Sequence, residues 1–176
     1  MSAVSNYTTR VLLILSVFLY PVHMQAQDIC TEKQIETSIL IRVSADRVWN
    51  KLSDFEQYDQ WHPYISKVRG PLKKGRFIKV HYFDSTGATG SFSARLLSVK
   101  PGKELSWGGS LGFIFRAKHY FILQLADDLS TRLIQGEYWR GIFGRPCGRK
   151  VYLSAFHKFI EMNQKLKTVL EEAYQH

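Results

Sequence analysis

The chain has 176 residues, of which 45% are hydrophobic and 14% aromatic, and its formal net charge is +9 at pH 7. This size and composition suit a single globular domain with a sizeable core and exclude a low-complexity chain. The charge raises the possibility of a nucleic-acid partner, but the basic residues are scattered and no nucleic-acid-binding motif accompanies them, so we expect no such partner and only a weak contact with anionic membrane surfaces.

The first 26 residues differ in character from the rest. Arg10 precedes the apolar run Val11–Val22, and the short stretch that follows ends in the small residue Ala26. This order is typical of a secretory signal peptide that is cleaved after Ala26. The run has about 12 residues, whereas a helix that crosses a bilayer needs about 20; an uncleaved N-terminal membrane anchor is the alternative. We therefore predict an exported protein, periplasmic or secreted, in which residues 27–176 form one domain.

In the mature chain, one strand is followed by two short helices, six further strands and a long helix. Ser44 is predicted to cap the first helix, and Ser110–Phe115 is predicted to form a lid-like loop. The pattern predicts an α+β domain, in which a curved antiparallel sheet of about seven strands holds the long helix on its concave face. The predicted strands are Ile35–Val43, Ile65–Arg69, Arg76–Asp84, Gly90–Val99, Leu105–Trp107, Ala117–Ala126 and Thr131–Ile142, and the predicted helices are Ala45–Leu52, Phe55–Trp61 and Gly148–Tyr174.

The last two strands carry polar side chains among apolar ones. Side chains alternate along a strand, so His119 and Phe121 share one face of the first strand, and Gln135, Glu137 and Trp139 share one face of the second. Burying such polar groups without partners is costly. A mostly apolar wall with a few polar groups is typical of a small-molecule pocket.

Three interpretations of His119 and Glu137 are open from the residues alone. The two side chains form a mutually satisfied buried pair, a polar anchor for a ligand, or an acid/base pair. The candidate pocket wall includes further residues, for each of which core packing or a structural role is the alternative: Trp61, Tyr64, His81, Phe83, Trp107, Phe156, Phe159 and Asn163. The histidines lack carboxylate or thiol partners at metal-ligand spacing, so we expect neither a metal nor another cofactor.

Several segments resemble the polyketide cyclase/dehydrase-like branch of the START-like superfamily, also called SRPBCC. The resemblance covers about Ile35 to Glu172. It implies a helix-grip fold with a deep cavity between the sheet and the C-terminal helix, whose members bind lipids, sterols, polyketides or other apolar small molecules and of which only some are catalysts. The segments are Asp59–Ile65, Gly70–Gly75, Val99–Trp107, His119–Phe121, Thr131–Leu133, Glu137, Gly141 and Met162–Lys167.

The resemblance also implies that the first and last strands are antiparallel neighbours. This order places Cys30 and Cys147 near the same end of adjacent strands and predicts a disulfide between them, which export permits. Two free buried thiols are the alternative.

One position departs from the pattern of the relatives, which often have a histidine where this chain has Gln135. A glutamine can donate and accept hydrogen bonds, but it cannot shuttle a proton near neutral pH. We therefore predict an exported binding protein for an apolar or amphipathic small molecule, lipid or polyketide-like, held in the cavity. The alternative is a cyclase or dehydratase in which His119 or Glu137 transfers a proton.

Overall fold

A computed structural model describes residues 34–83, 86–127, 129–141 and 149–173. The predicted signal peptide, Cys30 and Cys147 lie outside the described residues. None of the helices in these ranges combines the length and the apolar character that crossing a bilayer requires. The strands are β1 (Gln34–Ile41), β2 (Ile65–Arg69), β3 (Phe77–Phe83), β4 (Thr89–Lys100), β5 (Glu104–Leu111), β6 (Phe115–Asp127) and β7 (Ser130–Arg140), and the helices are α1 (Ala45–Ser53), α2 (Tyr58–Trp61), which a 3₁₀ turn (Phe55–Gln57) precedes, and α3 (Arg149–Glu172).

The seven strands form one antiparallel sheet in the order β1-β7-β6-β5-β4-β3-β2. Its concave face holds α3, and α1 and α2 connect the two edge strands. The α+β helix-grip prediction is therefore confirmed, including the antiparallel pairing of the first and last strands, in which Ile35 lies opposite Glu137 and Ile41 opposite Thr131.

The core fills one end of the space between the sheet and the helices. Alternate residues of β1, such as Ile35 and Ile41, point to the concave side and are fully buried. Leu52 of α1 and Leu166 of α3 are also fully buried, in one cluster with Ile41. Each such side chain contributes about 1.5–3 kcal/mol to folding by leaving water, so the core holds both helices on the sheet.

Two local predictions need correction. Ser44 does precede α1, but its side chain makes no capping hydrogen bond; only its backbone carbonyl accepts bonds, from the amides of Arg47 and Val48. The predicted lid-like loop Ser110–Phe115 is wrong, because β5 continues to Leu111 and β6 begins at Phe115. Gly112, with φ of 55°, allows a tight turn between them. The two strands therefore stay hydrogen-bonded up to the pair Leu111 and Phe115.

A glycine on the convex face lies directly under an aromatic ring. A Cβ atom at Gly136 would lie 2.2 Å from the Tyr120 ring. The ring is held in place because its hydroxyl donates to Glu36 Oε2 at 2.6 Å and accepts from Gln34 Nε2 at 2.8 Å. This contact ties β1, β6 and β7 together on the side away from α3.

Gly136→Ala is expected to lower the free energy of unfolding by about 1–3 kcal/mol, because the added methyl group displaces the Tyr120 ring and its hydrogen bonds. Urea unfolding measures the change. The matched control is Gly109→Ala, since a Cβ at Gly109 meets no atom within 4 Å. Equal unfolding midpoints for the two variants would contradict the role of this contact.

Candidate functional site

A cavity of about 580 Å³ lies between the concave face of the sheet and α3. Small-molecule sites in proteins typically enclose about 300–1,000 Å³. Most of the wall is apolar, and a smaller set of polar side chains interrupts it. The apolar wall is formed by Ile65, Tyr82, Phe83, Phe92, Ala94, Trp107, Gly108, Gly109, Phe115, Ala117, Phe159 and Met162, and the polar groups belong to His62, Tyr64, Ser93, His119, Gln135, Glu137 and Lys158.

Three of the polar side chains form a row across β6 and β7. His119 lies opposite Glu137, and Phe121 lies opposite Gln135, so all three polar side chains face the cavity. His119 Nδ1 is 3.5 Å from Glu137 Oε2, and His119 Nε2 is 3.4 Å from Gln135 Nε2. The carboxylate favours the proton on Nδ1, which leaves Nε2 as the acceptor for the Gln135 amide; this assignment follows from the partners. We call Glu137, His119 and Gln135 the polar row.

Aromatic rings hold the His119 imidazole from several sides. Trp107 stacks on it with ring centroids 5.0 Å apart, and Phe121 and Phe159 meet it edge-on at 4.8 Å and 5.2 Å. These contacts come from β5, β6 and α3. The imidazole is therefore a rigid part of the cavity wall, and its polar edge is directed along the row rather than towards solvent.

Gln135 leaves one hydrogen-bonding group of the row unused. Its side chain is 2% exposed, and Oε1 has no partner among the described protein groups. A buried acceptor without a partner costs about 1–3 kcal/mol. Because Oε1 is itself buried, this unpaired acceptor lies beneath the cavity surface, and Gln135 contributes to the row through Nε2.

His62, which sequence reasoning did not select, is a structural part of the cavity wall. Its Nδ1 accepts hydrogen bonds from the amides of Tyr64 and Ile65 at 3.1 Å and 2.9 Å, and its ring stacks on Tyr58. Burial, assisted by the nearby His119, lowers the pKa of His62 from 6.5 to about 3. The sequence does contain an indication of this role. Pro63 prevents the helical segment from continuing, and the backbone amides that follow Pro63 need a hydrogen-bond acceptor.

The low pKa of His62 predicts a pH-dependent loss of stability. As the pH falls below 6.5, the unfolded chain binds a proton at His62 and the folded protein does not, until the pH approaches 3. The stability that the neutral imidazole contributes above pH 6.5 is lost through this window. Between pH 7 and pH 5 the wild type should lose about 2 kcal/mol more than His62→Asn, which keeps an acceptor but does not titrate. Urea unfolding at the two pH values measures this difference, and identical losses would reject the buried neutral histidine.

Tyr64 ties α3 to the segment after α2. Its hydroxyl donates to the Glu161 carboxylate, and Lys158 Nζ lies 5.0 Å from the centroid of its ring. Burial, with the hydrogen bond to Glu161 next in importance, raises the pKa of Tyr64 to about 12. Tyr64 is therefore a neutral donor at physiological pH, and the contact links α3 to a residue of the cavity wall.

The structure divides the predicted site residues into two groups. Tyr64, Phe83, Trp107, His119, Gln135, Glu137 and Phe159 line the cavity, whereas Trp61, His81, Phe121, Trp139, Phe156 and Asn163 do not. Whether either group contacts a ligand stays a prediction.

Of the residues outside the cavity lining, three have clear positions. Trp61 is packed in the core against Tyr58, and Phe121 is buried against His119. Asn163 donates to Thr37 Oγ1 at 2.9 Å and so joins α3 to β1.

Of the two β3 residues predicted for the cavity wall, Phe83 lines the cavity and His81 does not. Ile78 and Val80 are buried on the concave face, so Tyr82, which has the same parity, points to the cavity. His81 alternates with them and lies on the convex side. The sequence indicates which face of β3 is concave, because Ile78 and Val80 are the aliphatic residues of the strand.

The described ranges contain no group of three or more metal-ligating side chains arranged to hold an ion. Curated proteins gave no match to the sequence.

The curved sheet, the gripped helix and the cavity define a START-like ligand-binding fold, which solved structures share. These include a START superfamily protein from Mycobacterium smegmatis, with 18% identity and a TM-score of 0.65 over 81% of this chain and 99% of that chain. Protein NE0264 from Nitrosomonas europaea has 21% identity and a TM-score of 0.64, over 83% and 99%. The Zhui aromatase/cyclase from Streptomyces sp. R1128 has 16% identity and a TM-score of 0.61, over 79% and 93%.

Residues 32–171 match the model of the family described as polyketide cyclase / dehydrase and lipid transport. This match covers more than half of the chain, and the chain belongs to that family. The predicted resemblance to the START-like superfamily is thereby confirmed.

Proposed function

We propose that this protein, after export, binds an apolar or amphipathic small molecule of lipid or polyketide type in the cavity between the sheet and α3. The observation that carries the proposal is a cavity of about 580 Å³ with a mostly apolar wall and one polar row. The export part rests on the sequence of residues 1–26.

The apolar wall supplies the driving force for binding. A ligand that buries a few hundred Å² of apolar surface gains about 25 cal/mol for each Å², before the costs of ordering are subtracted. The polar row supplies orientation. The Glu137 carboxylate is the accessible acceptor of the row, so a ligand with a hydroxyl group or another donor at one end meets a complementary group there.

Binding of the neutral probe N-phenyl-1-naphthylamine tests the proposal. The wild type should enhance the fluorescence of the probe with saturation at one site per chain, and Ala117→Trp should lose most of this binding because the indole fills the cavity. Ser91→Trp is the matched control, since Ser91 lies on the convex side opposite His81. Thermal unfolding verifies that both variants fold. Absence of binding by the wild type, or equal binding by the two variants, would overturn the proposal.

Proton transfer is the second candidate function, and the contact between His119 and Glu137 favours it. Hydrogen–deuterium exchange at the α-carbon of 4-phenyl-2-butanone, followed by NMR, distinguishes the two functions. For a binding protein, exchange should proceed at the buffer rate with both the wild type and Glu137→Gln. Acceleration by the wild type that Glu137→Gln abolishes would instead establish an acid/base role.

A further inference from the structure

The turn between β5 and β6 exposes adjacent apolar side chains. Leu111 is 65% exposed, Phe113 79% and Ile114 36%. We call Leu111–Ile114 the apolar tip. Its backbone is held against the end of β7, because a Cβ at Gly141 would lie 2.4 Å from the Ile114 carbonyl oxygen. The side chains therefore point outward from a supported turn, and such clusters mark interaction sites.

The apolar tip lies at the same end of the sheet as the open side of the cavity. Successive turns of an antiparallel sheet alternate between its two ends, so the β3–β4 and β5–β6 turns share one end and the β4–β5 turn occupies the other. Phe83 and Phe92 line the cavity near the β3–β4 turn and are 42% and 45% exposed. Phe115, which also lines the cavity, directly follows the tip. The tip therefore lies at the end of the sheet where partly exposed rings line the cavity.

Two arginines lie next to the apolar tip, on the convex face of the sheet. Arg116 lies opposite Arg140 in the β6–β7 ladder, and both side chains are exposed. Arg140 lies 5.7 Å from the Tyr138 ring, and in the described ranges neither arginine forms an ion pair with a carboxylate. Like charges directly opposite in a sheet repel each other. An anionic partner would relieve this repulsion.

Three carboxylates of the sheet and α3 have partners other than the two arginines. Glu36 accepts from Tyr120, Glu161 accepts from Tyr64, and Glu137 faces His119. None of these three carboxylates pairs with Arg116 or Arg140.

We propose that the apolar tip inserts into the interface of an anionic lipid membrane, with Arg116 and Arg140 among the headgroups and the cavity opening against the bilayer. A projecting apolar turn with basic neighbours is the combination that interfacial membrane segments use, apolar groups at the acyl boundary and cations at the headgroups. An apolar patch that served a protein groove would not need the paired arginines. The inference is independent of whether the cavity holds a ligand.

Co-sedimentation of the full chain with vesicles tests the proposal. The wild type should bind vesicles of phosphatidylcholine with phosphatidylglycerol and bind pure phosphatidylcholine much more weakly. Phe113→Ser combined with Leu111→Ser should lower the binding to anionic vesicles about tenfold or more. Phe77→Ser should bind as the wild type does, because Phe77 is 67% exposed at the opposite end of β3.

Charge reversal provides the second arm of the experiment. Arg116→Glu should lower the binding to anionic vesicles about fivefold or more and reduce its salt dependence. Arg132→Glu is its control, since Arg132 is exposed near the other end of β7. Binding of N-phenyl-1-naphthylamine in the cavity should be unchanged in all four variants. A failure of the membrane proposal is therefore distinguishable from a failure of the proposed ligand-binding function.

Two outcomes would overturn the membrane proposal. In the first, the wild type fails to bind anionic vesicles, or the tip variants bind as the wild type does. In the second, the wild type self-associates with increasing concentration and the tip variants do not, while no variant binds vesicles; this would assign the apolar tip to a protein partner.

Discussion

The register between β6 and β7 is the constraint on which the site depends. It places His119 opposite Glu137 and Phe121 opposite Gln135. Since side chains alternate with a period of two, a slip of β7 by one residue would move Gln135 and Glu137 to the convex face and bring Gly136 and Tyr138 to the cavity, while His119 on β6 stayed in place. The polar row would then be lost, so the register determines whether the polar part of the site exists.

Much of what fixes that register lies on the opposite face of the same strands. Gly136 stands between Gln135 and Glu137, and Tyr120 lies over it because no side chain is in the way. The Tyr120 hydroxyl then reaches Glu36 on β1. Any other pairing would place a side chain under the ring and separate these groups, so the convex contact specifies the alignment that the concave site uses.

The sequence predicts features that depend on periodicity and misses those that depend on how loops meet strands. Alternation was sufficient to locate the strands and to predict the shared face of Gln135 and Glu137, whereas the pairing of the first and last strands came from the family resemblance. The structural role of His62 depends on the path of the chain after Pro63, which periodicity does not describe. Tyr82 was missed because the β3 candidates were His81 and Phe83, whereas the buried aliphatic pair Ile78 and Val80 marks the face to which Tyr82 belongs.

The two ends of the cavity differ in a way that determines how a ligand reaches it. Buried leucines, among them Leu105, Leu133 and Leu166, fill the end near the β4–β5 and β6–β7 turns. The contact between Tyr64 and Glu161 links α3 to the cavity wall on the helix side. The remaining end is bounded by partly exposed rings at the β3–β4 and β5–β6 turns, among them Phe83 and Phe92. In the proposed binding function, the ligand exchanges through this end, which carries the apolar tip. A membrane held there, as proposed, would let an apolar molecule pass from lipid to cavity without crossing water, which is the step that the hydrophobic effect makes most costly.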